Sequence, residues 1–226
     1  MSEIKNRFSS IELVSYTKGE EILNVLTHFA GLVIPVFMLI KGIPLCKGEI
    51  LPLVCVWLYA LGTAMCFTAS VCYHAVKPGI LKKILRVTDH SAIFFAVAGT
   101  VTGCVPIVFE KGSAVGAVLM LVLCWGSVAG GLVLTVFFFG KFRNVRMFMY
   151  IITSAVCSLV GAPTFKALPK GAFICIITGG IVLLIGCVLY KLGAKKRYVH
   201  SLFHIFIVAG LGIYCYGIYN YVYLLL

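Results

Sequence analysis

The residues of this sequence that could bind a metal stand at the ends of long apolar segments. They are three histidines and the chain's only aspartate: His74, Asp89, His200 and His204. Three imidazoles with a carboxylate nearby match the protein ligands of a catalytic zinc site. Because ionisable side chains at membrane depth are costly and usually functional, these residues predict a metal centre if the fold brings them together.

His200 and His204 are four positions apart, so a helix places both imidazoles on one face, one turn from each other. The same spacing allows two histidines to bind a single metal ion in other zinc-binding helices. Ser70 stands four positions before His74 and therefore shares its helix face. We expect the Ser70 hydroxyl to line the cavity that holds the metal.

Each of these residues also has a structural interpretation that needs no metal. A single histidine inside a membrane commonly packs or hydrogen-bonds between helices. Asp89 can cap the start of a helix, as can Thr88, and Ser70 can bond to the carbonyl one turn earlier. The metal hypothesis depends on all of these residues meeting in one place.

The two remaining histidines are expected to lie outside the metal centre. His90 directly follows Asp89 and cannot share its helix face, so it is interpreted as a polar residue at a helix start. His28 follows Glu21 and Asn24 at helical spacing. This polar stripe is expected to bond to neighbouring helices as structural support.

The composition indicates a protein whose solvent is the lipid bilayer. Of its 226 residues, 62% are hydrophobic, and the mean hydropathy is +1.09. This excludes an ordinary soluble domain and leaves room for one membrane domain. The net charge of +12 comes from basic residues that flank apolar segments, so the expected partners are membrane lipids and not nucleic acid. The ten cysteines form no Cys-x-x-Cys pair and are interpreted as small apolar residues.

Seven apolar stretches are long enough to cross a membrane as helices. They lie near 22–41, 51–75, 89–109, 113–138, 146–163, 171–191 and 200–223. The predicted fold is therefore all-α, a polytopic bundle of seven transmembrane helices. Residues 1–21 form a cytoplasmic N-terminal segment, and residues 22–226 form the transmembrane domain.

The basic residues of the connections predict which side of the membrane each end faces. The segment before the first stretch and the connections after the second, fourth and sixth carry 14 Lys and Arg, against 5 on the other side. The positive-inside rule then puts the N-terminus in the cytoplasm and the C-terminus outside. This topology also places His74, Asp89, His200 and His204 on the cytoplasmic side, although the count did not use them.

Several motifs occur in an order that resembles a known family. They are Glu21-x-x-Asn24-x-x-x-His28, Ser70-x-x-x-His74, Asp89-His90-Ser91-Ala92-Ile93-Phe94, Ala98-Gly99-Thr100 and His200-x-x-x-His204. From about residue 18 onward the chain resembles the haemolysin III family, the bacterial branch of the progestin and adipoQ receptor superfamily. It departs from the family pattern at Val101-Thr102-Gly103 and at Tyr214-Cys215-Tyr216, which leaves the proposed ligands untouched.

The resemblance implies a zinc ion, Zn²⁺, held by His74, His200 and His204, with Asp89 holding the water at the metal and Ser70 lining the site. Receptor relatives resemble ceramidases, so the expected function is zinc-dependent hydrolysis of acyl lipids in the plasma membrane. Asp89 would serve as the general base, and Ser70 would bond to the developing oxyanion. An acyl lipid or free fatty acid would occupy the cavity of the bundle.

Other functions stay open at this point. A pore-forming haemolysin or cytolysin needs a polar stripe across the whole membrane, whereas polarity here clusters at one end. A metal-dependent receptor or sensor would hold zinc without turnover. A proton-coupled transporter is disfavoured because neither an inverted repeat nor a broken helix pair is visible. The sequence does not indicate an oligomeric state.

Overall fold

The computed structural model of the protein describes residues 8 and 11–226, and these residues form helices and no strand. Eight α-helices carry the fold: α1 (Lys18–Gly31), α2 (Val33–Gly42), α3 (Ile50–Ala75), α4 (Ile80–Lys111), α5 (Ala114–Phe137), α6 (Arg143–Ala167), α7 (Lys170–Gly193) and α8 (Val199–Tyr221). Short 3₁₀ turns follow α2 and α8, at Ile43–Cys46 and Tyr223–Leu225.

The eight helices make seven segments that are long and apolar enough to span a membrane. The first segment joins α1, α2 and the following 3₁₀ turn over Lys18–Cys46. It is interrupted at Leu32, because Pro35 has no N–H to donate to the carbonyl of Gly31. The segments are 24 to 32 residues long, which confirms the predicted all-α bundle of seven spans.

The third span begins earlier than the sequence indicated. Its helix, α4, starts at Ile80 and not near residue 89. Lysines and an arginine in its first turns lower the local hydropathy, so the sequence did not indicate a span there. One of them, Lys82, is nevertheless buried within the fold, with a relative exposure of 2%. Asp89 and His90 therefore lie inside a helix, so the alternatives that placed them at a helix start are wrong.

Close contact between α3 and α4 sets the register of the two helices. A Cβ atom added at Gly62 would lie 2.2 Å from the carbonyl oxygen of Phe95, and one added at Gly99 would lie 2.9 Å from the carbonyl of Leu58. Small residues at such crossings let helix backbones approach each other in membranes. This contact keeps the ends that carry His74 and Asp89 side by side.

The buried core and the outer surface of the bundle are both apolar. The core contains large side chains such as Tyr59, Phe67 and Phe94, each 1% exposed or less. The outward faces expose side chains such as Ile50 and Leu159, which are 78% and 72% exposed. Apolar exposure on this scale needs lipid as its solvent, so the chain is a multi-pass membrane protein.

Candidate metal centre

Three buried histidines meet at one end of the bundle. His74 is in the last turn of α3, and His200 and His204 are in the first two turns of α8. Each offers a ring nitrogen that lies within 4.8 Å of the other two. We call this end of the bundle, marked by these three residues, the histidine end. The structure thus brings together the three residues that the sequence suggested as metal ligands.

The pair on α8 presents two nitrogens to the same point. The Nε2 atoms of His200 and His204 are 3.1 Å apart. Nδ1 of His204 lies 3.3 Å from the carbonyl oxygen of Asn24. Since a carbonyl only accepts, this Nδ1 is the donor, and Nε2 of neutral His204 keeps its lone pair. This lone pair faces Nε2 of His200, so either a proton or a cation must lie between the two nitrogens.

A carboxylate orients the third histidine. Oε2 of Glu21 lies 2.6 Å from Nδ1 of His74, and Oε1 of Glu21 accepts from Nζ of Lys82 at 2.7 Å. The carboxylate accepts the Nδ1 proton, so Nε2 of His74 carries the lone pair. This Nε2 is buried and has no hydrogen-bond partner among the described residues. A buried acceptor without a donor is costly, and a metal ion would satisfy it.

The distance between the two α8 nitrogens is compatible with a shared metal ion such as zinc. Zinc binds imidazole nitrogen at about 2.0–2.1 Å in tetrahedral geometry, which separates two ligand nitrogens by about 3.3 Å. The 3.1 Å between His200 and His204 is close to that value. Three neutral imidazoles would hold the ion and leave one position for water or substrate.

Asn24 of α1 connects the two helices that carry the histidines. It is fully buried, and its Oδ1 accepts from the hydroxyl of Ser201 at 2.7 Å. Its carbonyl accepts from His204, and its Nδ2 lies 3.2 Å from Nδ1 of His74. The expectation that the polar stripe of α1 bonds to neighbouring helices is confirmed for Glu21 and Asn24, which bond to the clustered histidine rings themselves, whereas both ring nitrogens of His28 lack a hydrogen-bond partner among the described residues.

Asp89 and Ser70 lie beside the three histidines rather than among them. The Asp89 carboxylate is not one of the ligand atoms grouped within 4.8 Å, and it interacts with His74 and Ser70. Ser70 is 1% exposed, and its Oγ makes no hydrogen bond to a carbonyl of its own helix and lies beside the Asp89 carboxylate. The alternative interpretation, in which Ser70 bonds to the carbonyl one turn earlier, is therefore not observed. The hydroxyl can instead donate to a group in the site.

Two further rings contact the cluster. His28 stacks on His204 with ring centroids 3.8 Å apart and planes 20° apart, so it supports a ligand ring as expected of structural support. Tyr16, just before α1, stacks on His200 at 4.9 Å. Burial raises the pKa of the Tyr16 phenol above its ordinary value, so this ring stays neutral. Tyr16 was not predictable from the sequence, because a single aromatic residue outside the spans has no informative spacing.

Comparison with known proteins agrees with this arrangement. The family profile described as "Haemolysin-III related" matches residues 16–215. The chain is 26% identical over 197 residues to the "Hemolysin-3 homolog" of Bacillus subtilis (strain 168), covering 86% of this chain and 91% of the relative. It is 25% identical over 193 residues to "Hemolysin-3" of Bacillus cereus, covering 84% and 86%.

A human protein is also similar. The "Monocyte to macrophage differentiation factor" of Homo sapiens is 22% identical over 209 residues, covering 90% of this chain and 85% of the relative. This match extends the similarity to the progestin and adipoQ receptor superfamily, as the order of motifs suggested. Since the profile covers most of the chain, from the residue that stacks on His200 to the last turns of α8, the protein belongs to the haemolysin III-related family.

Proposed function

We propose that this protein is a zinc-dependent hydrolase of acyl lipids in the plasma membrane. The observation that carries the proposal is the cluster of three buried imidazoles in which Nε2 of His74 lacks any partner among the described residues. A buried acceptor without a donor is costly, and a metal ion would satisfy it. An available ligand atom beside a carboxylate and a buried hydroxyl is typical of a reaction centre.

His74, His200 and His204 would hold the ion. When bound, zinc would act as a Lewis acid that makes water a nucleophile near neutral pH and polarises a carbonyl. Glu21 and Asn24 fix the ring planes of His74 and His204 through their Nδ1 atoms. The ligand nitrogens are thereby positioned before the ion arrives, which favours binding.

Asp89 and Ser70 would perform the remaining chemistry. Asp89 accepts a proton from the attacking water as general base. The water oxygen adds to the carbonyl carbon, and Ser70 donates a hydrogen bond to the oxygen that becomes negative. The bond to nitrogen or oxygen of the leaving group then breaks, and Asp89 returns the proton to the amine or alcohol. The products are a fatty acid and the deacylated lipid.

The position of the site favours a lipid substrate. The histidines lie at the end of long apolar helices, so the acyl chain can stay in apolar surroundings while its carbonyl reaches the polar end. An amide-linked or ester-linked acyl lipid meets this description. Cleavage would change the composition of the membrane, with the free fatty acid as the first product inside the bundle.

Elemental analysis of protein purified without chelators tests the metal site. The comparison uses the wild type, His204→Ala, and His90→Ala as a matched histidine control outside the cluster. We expect one zinc ion per wild-type chain, its loss in His204→Ala and its retention in His90→Ala. Equal zinc content in all three proteins would remove the ligand assignment, and another metal in the wild type would remove the zinc assignment.

Fatty acid release tests the reaction. Zinc-loaded protein in vesicles is incubated with one N-acyl lipid and one ester lipid, and released fatty acid is measured by mass spectrometry before and after chelation. We expect release that stops on chelation and returns with zinc. Zinc-loaded protein that releases no fatty acid from either class would instead be a metal-dependent sensor.

The names of the Bacillus relatives suggest pore formation as a second function. Against it, buried threonines along the spans bond to carbonyls of their own helix, as Thr63, Thr102 and Thr135 do four residues back. Their hydroxyls thus do not form a continuous polar path. Dye release from vesicles that persists after zinc removal would favour the pore.

A further inference from the structure

A cavity of about 540 Å³ lies beside the metal centre at the histidine end. It is lined by α4, by the α5–α6 connection and by the segment before α1. Tyr190 of α7 forms part of its wall, with a ring centroid 5.9 Å from His90 and 6.1 Å from His200. This volume is in the range of sites that bind small molecules, and the three zinc-ligand candidates do not line it.

The wall of the cavity is positively charged. Arg86, Lys141 and Arg146 line it, and Glu12 supplies the only carboxylate among the described lining residues. The guanidinium groups of Arg86 and Arg146 both lie over the ring of Phe139, at 5.4 and 4.9 Å from its centroid. Three basic side chains against one carboxylate favour an anion as the ligand of this cavity.

The two arginines are held in place by backbone groups. Arg146 is 2% exposed and donates to the carbonyls of Leu134, Phe138 and Phe139 at the end of α5. Arg86 donates to the carbonyl of Glu12. A guanidinium fixed in this way is preorganised to bind the oxygens of a phosphate. The cavity is therefore a built site rather than a fringe of mobile surface lysines.

Apolar side chains next to the cavity point to a lipid as the source of the anion. Phe137 and Phe138, both in the cavity wall, are 58% and 45% exposed. Val133, one turn earlier on α5, is 49% exposed. A phospholipid can lay its acyl chains along this apolar face of α5 while its headgroup enters the basic cavity, whereas a free phosphate would make no use of that face.

We propose that this cavity binds the phosphate of an anionic phospholipid. Arg86, Arg146 and Lys141 contact the phosphate oxygens, and the end of α5 contacts the first carbons of the acyl chains. This binding goes beyond the proposed hydrolysis and does not depend on it. If the chain is a hydrolase, the bound lipid lies near the metal centre, because the ring centroid of Tyr190 in the cavity wall is 6.1 Å from that of His200.

Native mass spectrometry of the full chain, delipidated in detergent, tests the proposal. The protein is titrated with dioleoyl phosphatidylglycerol, dioleoyl phosphatidylcholine and, in a third arm, inorganic phosphate. The cavity variant is Arg86→Gln with Lys141→Gln. The matched control, Lys166→Gln with Lys170→Gln, removes the same charge at the other end of the bundle. The unfolding temperature of each variant reports whether it is still folded.

We expect wild type to prefer phosphatidylglycerol and the cavity variant to bind it about 100-fold more weakly, since each of the two lost charge-assisted hydrogen bonds contributes about tenfold. The control should bind like wild type. Should the double variant misfold, exposed Lys141→Gln alone is measured and is expected to weaken binding by a smaller factor. Equal weakening in the control, equal affinity for the two lipids, or equally tight inorganic phosphate would each overturn the proposal.

Discussion

Replacing Glu21 with glutamine tests how the protein orients its metal-binding rings. The carboxylate lies 2.6 Å from Nδ1 of His74 and 2.7 Å from Nζ of Lys82. Glutamine keeps the size of the side chain and one acceptor oxygen, so it can serve His74 or Lys82 but not both. We expect the zinc affinity to fall because His74 then loses its fixed tautomer or its anionic partner.

The expected size of this loss follows from the contacts. Removing a partner of a metal-binding histidine typically lowers metal affinity about 10- to 100-fold, or roughly 1.4–2.8 kcal/mol. We expect the lower part of this range for Glu21→Gln, which retains an acceptor, and the upper part for Glu21→Ala. The Glu21 side chain is 22% exposed, so water can partly replace the lost carboxylate and keeps the effect below that of a fully buried pair.

Competition with a chromophoric chelator of known zinc affinity measures the effect. Glu110→Gln is the matched control, because it removes the same charge from an exposed pair with Lys111, at the other end of the bundle. Its zinc affinity should equal that of the wild type. Unchanged affinity in both Glu21→Gln and Glu21→Ala would show that the carboxylate does not act on His74, and the argument from its 2.6 Å contact would fail.

Lys82 separates the effect on metal binding from an effect on folding. Its side chain is 3% exposed, so Glu21→Gln leaves a buried ammonium beside the Val76 carbonyl without an anionic partner, which destabilises the protein. Adding Lys82→Met should restore the unfolding temperature without restoring zinc affinity. Recovery of both would indicate that Glu21 acts only by pairing with Lys82.

The remaining predictions concern three positions near the site and on the α3–α4 contact. Asp89→Asn should keep the zinc content and lower fatty acid release by a factor on the order of 10²–10⁴, the usual contribution of a general base; a variant that loses zinc would make Asp89 a ligand. Asn24→Ala leaves buried partners unsatisfied and should cost about 1–3 kcal/mol, seen as a lower unfolding temperature with and without chelator. Gly62→Val should abolish stable folding, because its Cβ would lie 2.2 Å from a backbone oxygen, whereas Gly126→Ala, with open space around it, should behave like the wild type in the same melting assay.

Much of the fold was predictable because hydropathy and charge report directly on membrane insertion. Apolar runs of sufficient length can only be helices in lipid, so the spans were located to within a few residues at most ends. The exception was the start of α4, because Lys82, Lys83 and Arg86 lower the hydropathy of its first turns. Lys82 pairs with Glu21 of α1, and the spacing of residues within α4 does not indicate this contact.

The three histidines were predicted because their spacing and their shared side of the membrane are both sequence properties. Their partners were harder to predict. Glu21 contacts His74 across 53 positions in the chain, and Ser201 contacts Asn24 across 177. Such pairs depend on which helices are neighbours in the bundle, and the order of spans along the chain does not determine that.

The contact between Asn24 and Ser201 joins the first span of the protein to the last. This contact is made by α8, which follows the other six spans along the chain. Until α8 has entered the membrane, a nascent chain has only one of the three imidazoles, His74. If the three histidines bind a metal as proposed, the complete ligand set exists only after α8 has joined the bundle.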